Sequence, residues 1–169
     1  MRLTEMQMRA AMTARVFADT NLLVYAVHGG DEPHKTTRAR EVLTLLRETS
    51  SGTLSAQVVG EFVSVATRKL SDTLRRPEAL RVAALLMEQF AMVDLSETVV
   101  REALRACDRY GLDYFDAQIW AAARLSGCHV ILTEDLHGET LEGVAYLNPF
   151  SREFDTDEFA AREIRTRPL

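Results

Sequence analysis

Cysteine is scarce in this sequence, with only Cys107 and Cys128 among 169 residues. Two cysteines without a CxxC spacing do not make a zinc site by themselves, and they do not suggest the disulfide framework of a small secreted protein. The histidines also lack the HExxH pairing that is typical of zinc hydrolases. We therefore expect a protein of a reducing compartment and assign it to the cytoplasm.

Long apolar segments are also missing. No uninterrupted run reaches the roughly 20 residues that a membrane-spanning helix needs. Residues 1–14 carry Arg2, Glu5 and Arg9 at the place where a signal peptide would need an apolar stretch. The sequence therefore predicts no membrane partner.

An excess of positive charge is the third absence. The chain has 20 Lys and Arg residues against 25 Asp and Glu residues, which gives a formal net charge of −5. An acidic protein is not held to nucleic acid by its overall charge, so a nucleic-acid partner needs a local basic patch or bound cations. One such patch lies in residues 68–81, although a solvated surface explains it equally well. Its charged residues are Arg68, Lys69, Arg75, Arg76 and Arg81 against Asp72 and Glu78.

The sequence does contain short apolar segments that alternate with amphipathic helices. The pattern predicts strands at 16–18, 53–55, 91–95, 129–132 and 144–147, and helices at 22–26, 35–48, 57–70, 78–90, 96–111 and 114–126. Parallel strands need connections long enough to hold a helix, so the fold class is α/β with a parallel sheet covered on both faces. A length of 169 residues with 47% hydrophobic and 27% charged residues fits one globular domain.

Two aspartates follow predicted strands directly. Asp19 comes after the first strand and Asp135 comes after the fourth. Open parallel sheets bind ligands beyond the carboxyl ends of their strands, which makes both residues site candidates. Taken alone, each is better explained as a helix cap or a turn residue.

Two further acids fall on inward faces of predicted helices. Glu61 lies at helical spacing between Val58 and Val65, and Asp116 shares a face with Trp120. A lone carboxylate is costly to bury, so both positions are unusual. The structural alternatives are a boundary residue at the helix edge for Glu61 and a favourable helix-dipole position for Asp116.

Together these four acids are expected to meet at one rim of the sheet. Asp113, three residues before Asp116, is read first as a helix N-cap and only then as a peripheral fifth acid. Two carboxylates about 4 Å apart repel by about 4 kcal/mol at an effective dielectric near 20, and a divalent cation removes that penalty. Carboxylates without thiolate or imidazole suit Mg²⁺ or Mn²⁺, which can lower the pKa of a bound water and neutralise a phosphodiester displacement.

Five segments stand out around these acids and at the last predicted strand. They are residues 17–25 (FADTNLLVY), 55–62 (SAQVVGEF), 114–123 (YFDAQIWAAA), 132–136 (LTEDL) and 147–150 (LNPF). In this order they resemble the motifs of PIN-domain nucleases, and they are most similar to the VapC-type toxins of bacterial and archaeal toxin–antitoxin pairs. The resemblance covers residues 15–150, which leaves 1–14 as an N-terminal extension and 151–169 as a C-terminal tail or docked helix.

The resemblance implies a three-layer α/β/α sandwich with a five-stranded parallel sheet, and a Mg²⁺- or Mn²⁺-dependent endoribonuclease that leaves a 5′-phosphate and a 3′-hydroxyl. By motif match, the catalytic and metal-binding acids are Asp19, Glu61, Asp116 and Asp135. Asn21 and Thr133 match supporting polar positions, and Asp113 stands where many relatives have serine or another small polar residue. The resemblance also implies an RNA substrate, a cognate antitoxin and a homodimer.

Two other functions stay open at this level, and a third is excluded by its motif. A PIN-type nuclease can act in RNA processing outside toxin–antitoxin systems, and a related fold can serve as a non-catalytic binding module. The retention of all four acids disfavours the binding module. A phosphatase of the haloacid dehalogenase type also uses an α/β sheet, but it needs a DxD pair, and Asp19-Thr20-Asn21 lacks the second acid.

Overall fold

A six-stranded sheet forms the centre of the computed structural model, which describes residues 15–28, 32–70, 72–135 and 140–164. The strands are β1 (Arg15–Ala18), β2 (Gly52–Ser55), β3 (Ala91–Val93), β4 (Cys128–Leu132), β5 (Thr140–Leu141) and β6 (Val144–Leu147). Their spatial order is β3-β2-β1-β4-β6-β5, and every pairing is parallel except that of β5 with β6. The five predicted parallel strands are confirmed.

The prediction of five strands in the sheet is wrong by one, because β5 adds an antiparallel edge. Strands β5 and β6 are joined by a two-residue loop, Glu142-Gly143, whose φ angles are 46° and 85°. Two consecutive positive φ angles are the requirement of a type I′ hairpin. The usual Asn-Gly or Asp-Gly signal is absent here, so the pattern gave no indication of the hairpin.

Helices connect the parallel strands in the positions that the periodicity predicts. They are α1 (Thr20–Val27), α2 (Pro33–Glu48), α3 (Ala56–Lys69), α4 (Arg76–Gln89), α5 (Glu97–Tyr110), α6 (Tyr114–Leu125) and α7 (Thr156–Phe159), which continues as a π-helical turn (Ala160–Ile164). The chain steps from β1 to β2 and β3, and then returns past β1 to β4 and β6. Helices α1 to α4 contact one another, and α5 packs on α6. Because parallel crossovers are right-handed, the reversal puts these two groups on opposite faces of the sheet.

The core lies around the two central strands and helix α6. Phe17 of β1 and Ile131 of β4 are fully buried, and residues 117–123 of α6 are buried on every side. Alanines at 117, 121, 122 and 123 let this helix approach the sheet closely, and Trp120 fills the space beside them. Helix α6 is therefore held rigidly, and so is the first turn that carries Asp116.

The segment after residue 150 packs on the domain. Phe159 and Ile164 are buried in the same core, and Arg38 of α2 donates hydrogen bonds to the Phe154 carbonyl at 2.9 Å and the Thr156 hydroxyl at 3.0 Å. Residues 165–169 and 1–14 lie outside the described residues. Among the helices in the described part of the chain, none combines the length and the apolar character needed to cross a membrane.

Substitutions at two glycines, Gly52 and Gly60, would show how tightly the sheet is packed. A Cβ at Gly52 would lie 2.5 Å from the Phe90 ring and 3.0 Å from the Leu46 Cβ, whereas a Cβ at Gly60, within α3, would meet nothing within 4 Å. We expect Gly52→Ala to lower the free energy of unfolding by about 1–3 kcal/mol through overpacking. Gly60→Ala should raise it by about 0.5–1 kcal/mol through helix propensity. Urea unfolding of both variants checks this, and equal effects of the same sign would contradict the packing described.

Candidate active site

Three strand ends place the predicted site residues at one edge of the sheet. Strand β1 passes directly into α1 through Asp19, β2 passes into α3 through Ser55, and β4 ends at Leu132, directly before Thr133. The strand order reverses between β1 and β4, which makes this edge the topological switch point where open α/β sheets bind ligands. Helix α6 brings Asp116 to the same edge in its first turn.

Asp19 is the most buried acid of the site, with 8% of its surface exposed. Its Oδ1 accepts a hydrogen bond from the Thr20 backbone N–H at 2.5 Å, which caps α1. Its Oδ2 accepts from the Thr133 hydroxyl at 2.7 Å and from the Asn21 amide at 3.2 Å. Asp19 is therefore held from both the start of α1 and the residue that follows β4.

Asn21 and Thr133 join Asp19 to Asp135. The Asn21 Nδ2 lies 3.0 Å from the Thr133 hydroxyl and 3.3 Å from Asp135 Oδ2. The Asp135 backbone N–H donates to the Thr133 hydroxyl at 3.1 Å. Both residues thus contact the acids they were predicted to support, and they fix the spacing between two of them.

Glu61 is held by two residues that the sequence reasoning missed. The Thr20 hydroxyl donates to Glu61 Oε2 at 2.8 Å, and the Gln57 amide donates to Glu61 Oε1 at 2.8 Å. The same Gln57 amide lies 3.4 Å from the Phe115 carbonyl, which links α3 to α6. The spacing of Gln57 four residues before Glu61 was a usable signal, since such residues are neighbours on a helix.

Asp116 is half-buried and shares a small cavity with Asp19 and Asp135. The remaining lining comes from Thr133, Ile119, Ile131 and Tyr146, and the cavity volume is about 10 Å³. A larger cavity of about 260 Å³ lies at the end of β6 beside α7 and includes none of the predicted site residues. The cluster of acids, rather than the larger of these two cavities, marks the candidate site.

Asp113 takes the structural position that was expected first. Its carboxylate accepts a hydrogen bond from the Phe115 backbone N–H at 3.0 Å and caps α6, and its side chain is exposed. Its charge nevertheless reaches the site, since it is one of the carboxylates that raise the pKa of Asp116.

The acids repel one another, and this repulsion adds to the effect of burial on the pKa values of Asp19 and Asp116. Burial raises the pKa of Asp19 from 3.8 to about 6, against the lowering effect of its hydrogen bonds, and the charges of Asp135 and Glu61 add to the rise. The pKa of Asp116 is raised by partial burial and then by the carboxylates of Asp113, Asp135 and Glu61. Within the described residues, none of the four acids forms an ion pair with Lys, Arg or His. The site therefore holds negative charge that the described protein groups do not neutralise.

The donor set fits a hard divalent cation in chemistry and charge. It offers carboxylate oxygens without thiolate or imidazole, and the Asp116 carboxylate accepts no hydrogen bond from the described part of the chain. Among those same residues, no three His, Cys, Asp or Glu side chains form a ready-made metal-binding group. The hydrogen bonds to Thr20, Gln57, Asn21 and Thr133 occupy several oxygens instead, so ion binding requires the acids to draw closer together.

The fold and this edge define a class first: a doubly wound α/β protein with an acidic cluster at the carboxyl ends of its strands. The family model for the PIN domain matches residues 16–141. The chain therefore belongs to the PIN domain family.

Solved structures share this fold at low identity. VapC20 of Mycobacterium tuberculosis, a toxin that cleaves the sarcin–ricin loop, is 19% identical, with 71% of this chain and 89% of that chain covered and a TM-score of 0.56. A toxin–antitoxin complex from Klebsiella pneumoniae is 19% identical, with 81% of this chain and 98% of that chain covered and a TM-score of 0.57. DNA-bound VapBC from Salmonella typhimurium is 18% identical, with 80% of this chain and 98% of that chain covered and a TM-score of 0.59. A comparison of the sequence with curated proteins found no match.

The buried charge of Asp19 predicts a gain in stability when it is removed. Because the folded-state pKa of about 6 lies above the ordinary 3.8, the ionised group destabilises the fold above pH 6, and this penalty fades as the pH falls through 6 towards 3.8. In EDTA at pH 7.5, Asp19→Asn should raise the free energy of unfolding by about 1–3 kcal/mol. The gain should shrink by pH 4.5.

The control for this prediction is Asp108→Asn, on the exposed side of α5. It should change stability by less than about 0.5 kcal/mol at either pH. Urea unfolding at both pH values provides the measurement. A loss of stability in Asp19→Asn at pH 7.5 would show that the hydrogen bonds of Asp19 outweigh its burial penalty.

Proposed function

We propose that this chain is a Mg²⁺- or Mn²⁺-dependent endoribonuclease and the toxin of a type II toxin–antitoxin pair. The observation that carries the proposal is the convergence of Asp19, Glu61, Asp116 and Asp135 from four separate elements on one edge. Membership of the PIN domain family supports it, and so do the toxin–antitoxin structures that share the fold.

Three of the four acids would contact the ion in the proposed chemistry, and Glu61 would contribute its negative charge beside them. Asp19, Asp116 and Asp135 line the small cavity and would hold the cation, while Thr133 and Asn21 keep Asp19 and Asp135 in register. When bound, the ion supplies charge neutralisation for an in-line phosphodiester displacement and lowers the pKa of the attacking water. Because the pKa values of Asp19 and Asp116 are raised, ion binding would compete with protonation of both groups, and for Asp19 this competition begins as the pH falls towards 6.

The basic residues in the last turn of α3 favour a polyanionic substrate. Arg68 and Lys69 are exposed there, and neither forms an ion pair within the described residues. They follow Glu61 by seven and eight residues, which is about 10 Å along the helix. Cations at this distance can bind phosphates that flank the cleaved bond, which an acidic site alone would repel.

The exposure of Phe115 favours a single-stranded nucleic acid as the substrate. Of the Phe, Tyr and Trp side chains, all of which lie in the described residues, Phe115 alone is exposed, with a relative exposure of 59%. It directly precedes Asp116, and its backbone is held by Asp113 and Gln57. An exposed ring beside a phosphodiester site is suited to stack on an unpaired base.

The stacking role predicts a KM effect. Phe115→Leu should raise the KM for an RNA oligonucleotide by roughly 10-fold, with little change in kcat, since base stacking is worth about 1–3 kcal/mol. Phe115→Trp should keep the KM near the wild-type value. Leu104→Ala, an equally exposed apolar residue on α5, serves as the control. A KM unchanged by Phe115→Leu would remove Phe115 from the substrate site.

The acids themselves give the central test. Asp116→Asn or Glu61→Gln should lower the rate of RNA cleavage at least 100-fold and abolish the growth arrest that the wild type causes, because either change removes a charge needed at the ion. Asp108→Asn should cleave like the wild type. Undiminished cleavage in Asp116→Asn would contradict the proposal, and Mn²⁺ binding without cleavage of a broad RNA panel would favour the binding module.

Co-expression separates the toxin from an RNA-processing nuclease. A small reading frame adjacent to the gene should encode an antitoxin that relieves the growth arrest and inhibits the purified nuclease.

Exposed Leu80, Leu85 and Met87 give α4 an apolar outer surface for a protein partner or a second copy of the chain. Cleavage without any inhibitory neighbouring gene product would favour RNA processing.

A further inference from the structure

Lys35 is a buried lysine that has no role in the site proposed above. It is 8% exposed, and no other Lys or Arg of the described ranges is buried. Its Nζ donates to Glu134 Oε1 at 2.5 Å and to Glu32 Oε1 at 2.9 Å, and it lies 4.7 Å from the centre of the Tyr25 ring. A buried charge is retained against a desolvation cost, so its partners indicate what it does.

Glu134 is the partner that connects Lys35 to the site. One carboxylate oxygen accepts from Lys35 of α2, and the other accepts from the Tyr25 hydroxyl of α1 at 2.5 Å. In the chain, Glu134 lies between Thr133, which holds Asp19, and the predicted metal-binding Asp135. Glu134 therefore ties the loop after β4 to two helices.

Asp135 depends on this tie because little else holds it. It is exposed, and its carboxylate accepts only the 3.3 Å hydrogen bond from Asn21 within the described residues. Its backbone N–H bonds the Thr133 hydroxyl. Because Thr133 bonds Asp19 and Glu134 bonds both Lys35 and Tyr25, the backbone that carries the Asp135 carboxylate has a fixed direction.

We propose that Lys35 and Tyr25, acting through Glu134, are positioning residues that orient Asp135 for divalent-cation binding. The inference rests on the proposed metal-dependent function. Lys35 itself contacts neither the cation nor the substrate. Such partners of a ligand typically change metal affinity by roughly 10- to 100-fold when they are lost.

The experiment uses the full chain with Lys35→Met, Glu134→Gln and the double variant. Methionine keeps an apolar stem beside the Tyr25 and Phe150 rings, and glutamine keeps the size of Glu134. Mn²⁺ affinity is measured by electron paramagnetic resonance of the free ion, and hydrogen exchange of residues 133–135 is measured in EDTA. Each single variant should weaken Mn²⁺ binding roughly 10-fold and speed this exchange. The double variant should be no worse than either single variant, because both changes break one connection.

Glu32→Gln is the matched control. Glu32 also pairs with Lys35, but its side chain is 54% exposed and, within the described residues, it has no bond to the loop after β4. It should change Mn²⁺ affinity less than about 2-fold. Thermal unfolding verifies that each variant is folded, and Glu134→Gln decides the matter if Lys35→Met does not fold.

The failures are distinguishable. If the wild type binds Mn²⁺ and cleaves RNA while Lys35→Met and Glu134→Gln bind Mn²⁺ equally well, the positioning role is overturned and the proposed function stands. Additive losses in the double variant would also overturn it, since Lys35 would then not act through Glu134. If the wild type binds no Mn²⁺, both the positioning role and the proposed metal-dependent function are overturned.

Discussion

The desolvated carboxylate of Asp19 is the constraint on which the arrangement of this protein depends. Burial makes the charge costly, and the carboxylates of Glu61 and Asp135 increase that cost. The hydrogen bonds from the Thr20 backbone and the Thr133 side chain offset part of it. A group that destabilises its own fold at neutral pH is more typical of a functional site than of a structural one.

The topology explains why the acids meet at this edge. The chain turns back between β1 and β4, so the two strand ends that carry Asp19 and Asp135 are neighbours although 116 positions separate them in the sequence. Helices α3 and α6 come from opposite layers and deliver Glu61 and Asp116 to the same point. Each helix is capped by a polar side chain at its start, Ser55 and Asp113 respectively, which fixes where its first turns lie.

Two shells of polar contacts surround the acids. The inner contacts, from Thr20, Asn21, Gln57 and Thr133, bond the acidic oxygens directly. The outer contacts run from Lys35 and Tyr25 to Glu134 and reach the acids only through the backbone. Such supporting contacts matter most where charged groups repel, because without them the side chains would turn out to solvent.

The sequence by itself determined the α/β class and the five parallel strands, and it predicted the four site acids, because hydrophobic periodicity and motif order are local properties of the chain. The catalytic and metal-binding roles of those acids, of Asn21, Thr133 and Asp113, and the domain boundaries stay predictions. Only the tertiary structure decided that Thr20 holds Glu61, that Lys35 reaches Glu134 and that β5 forms the sheet edge. These pairings depend on distances between side chains that are far apart in sequence or on φ angles at a turn, and no local pattern records either.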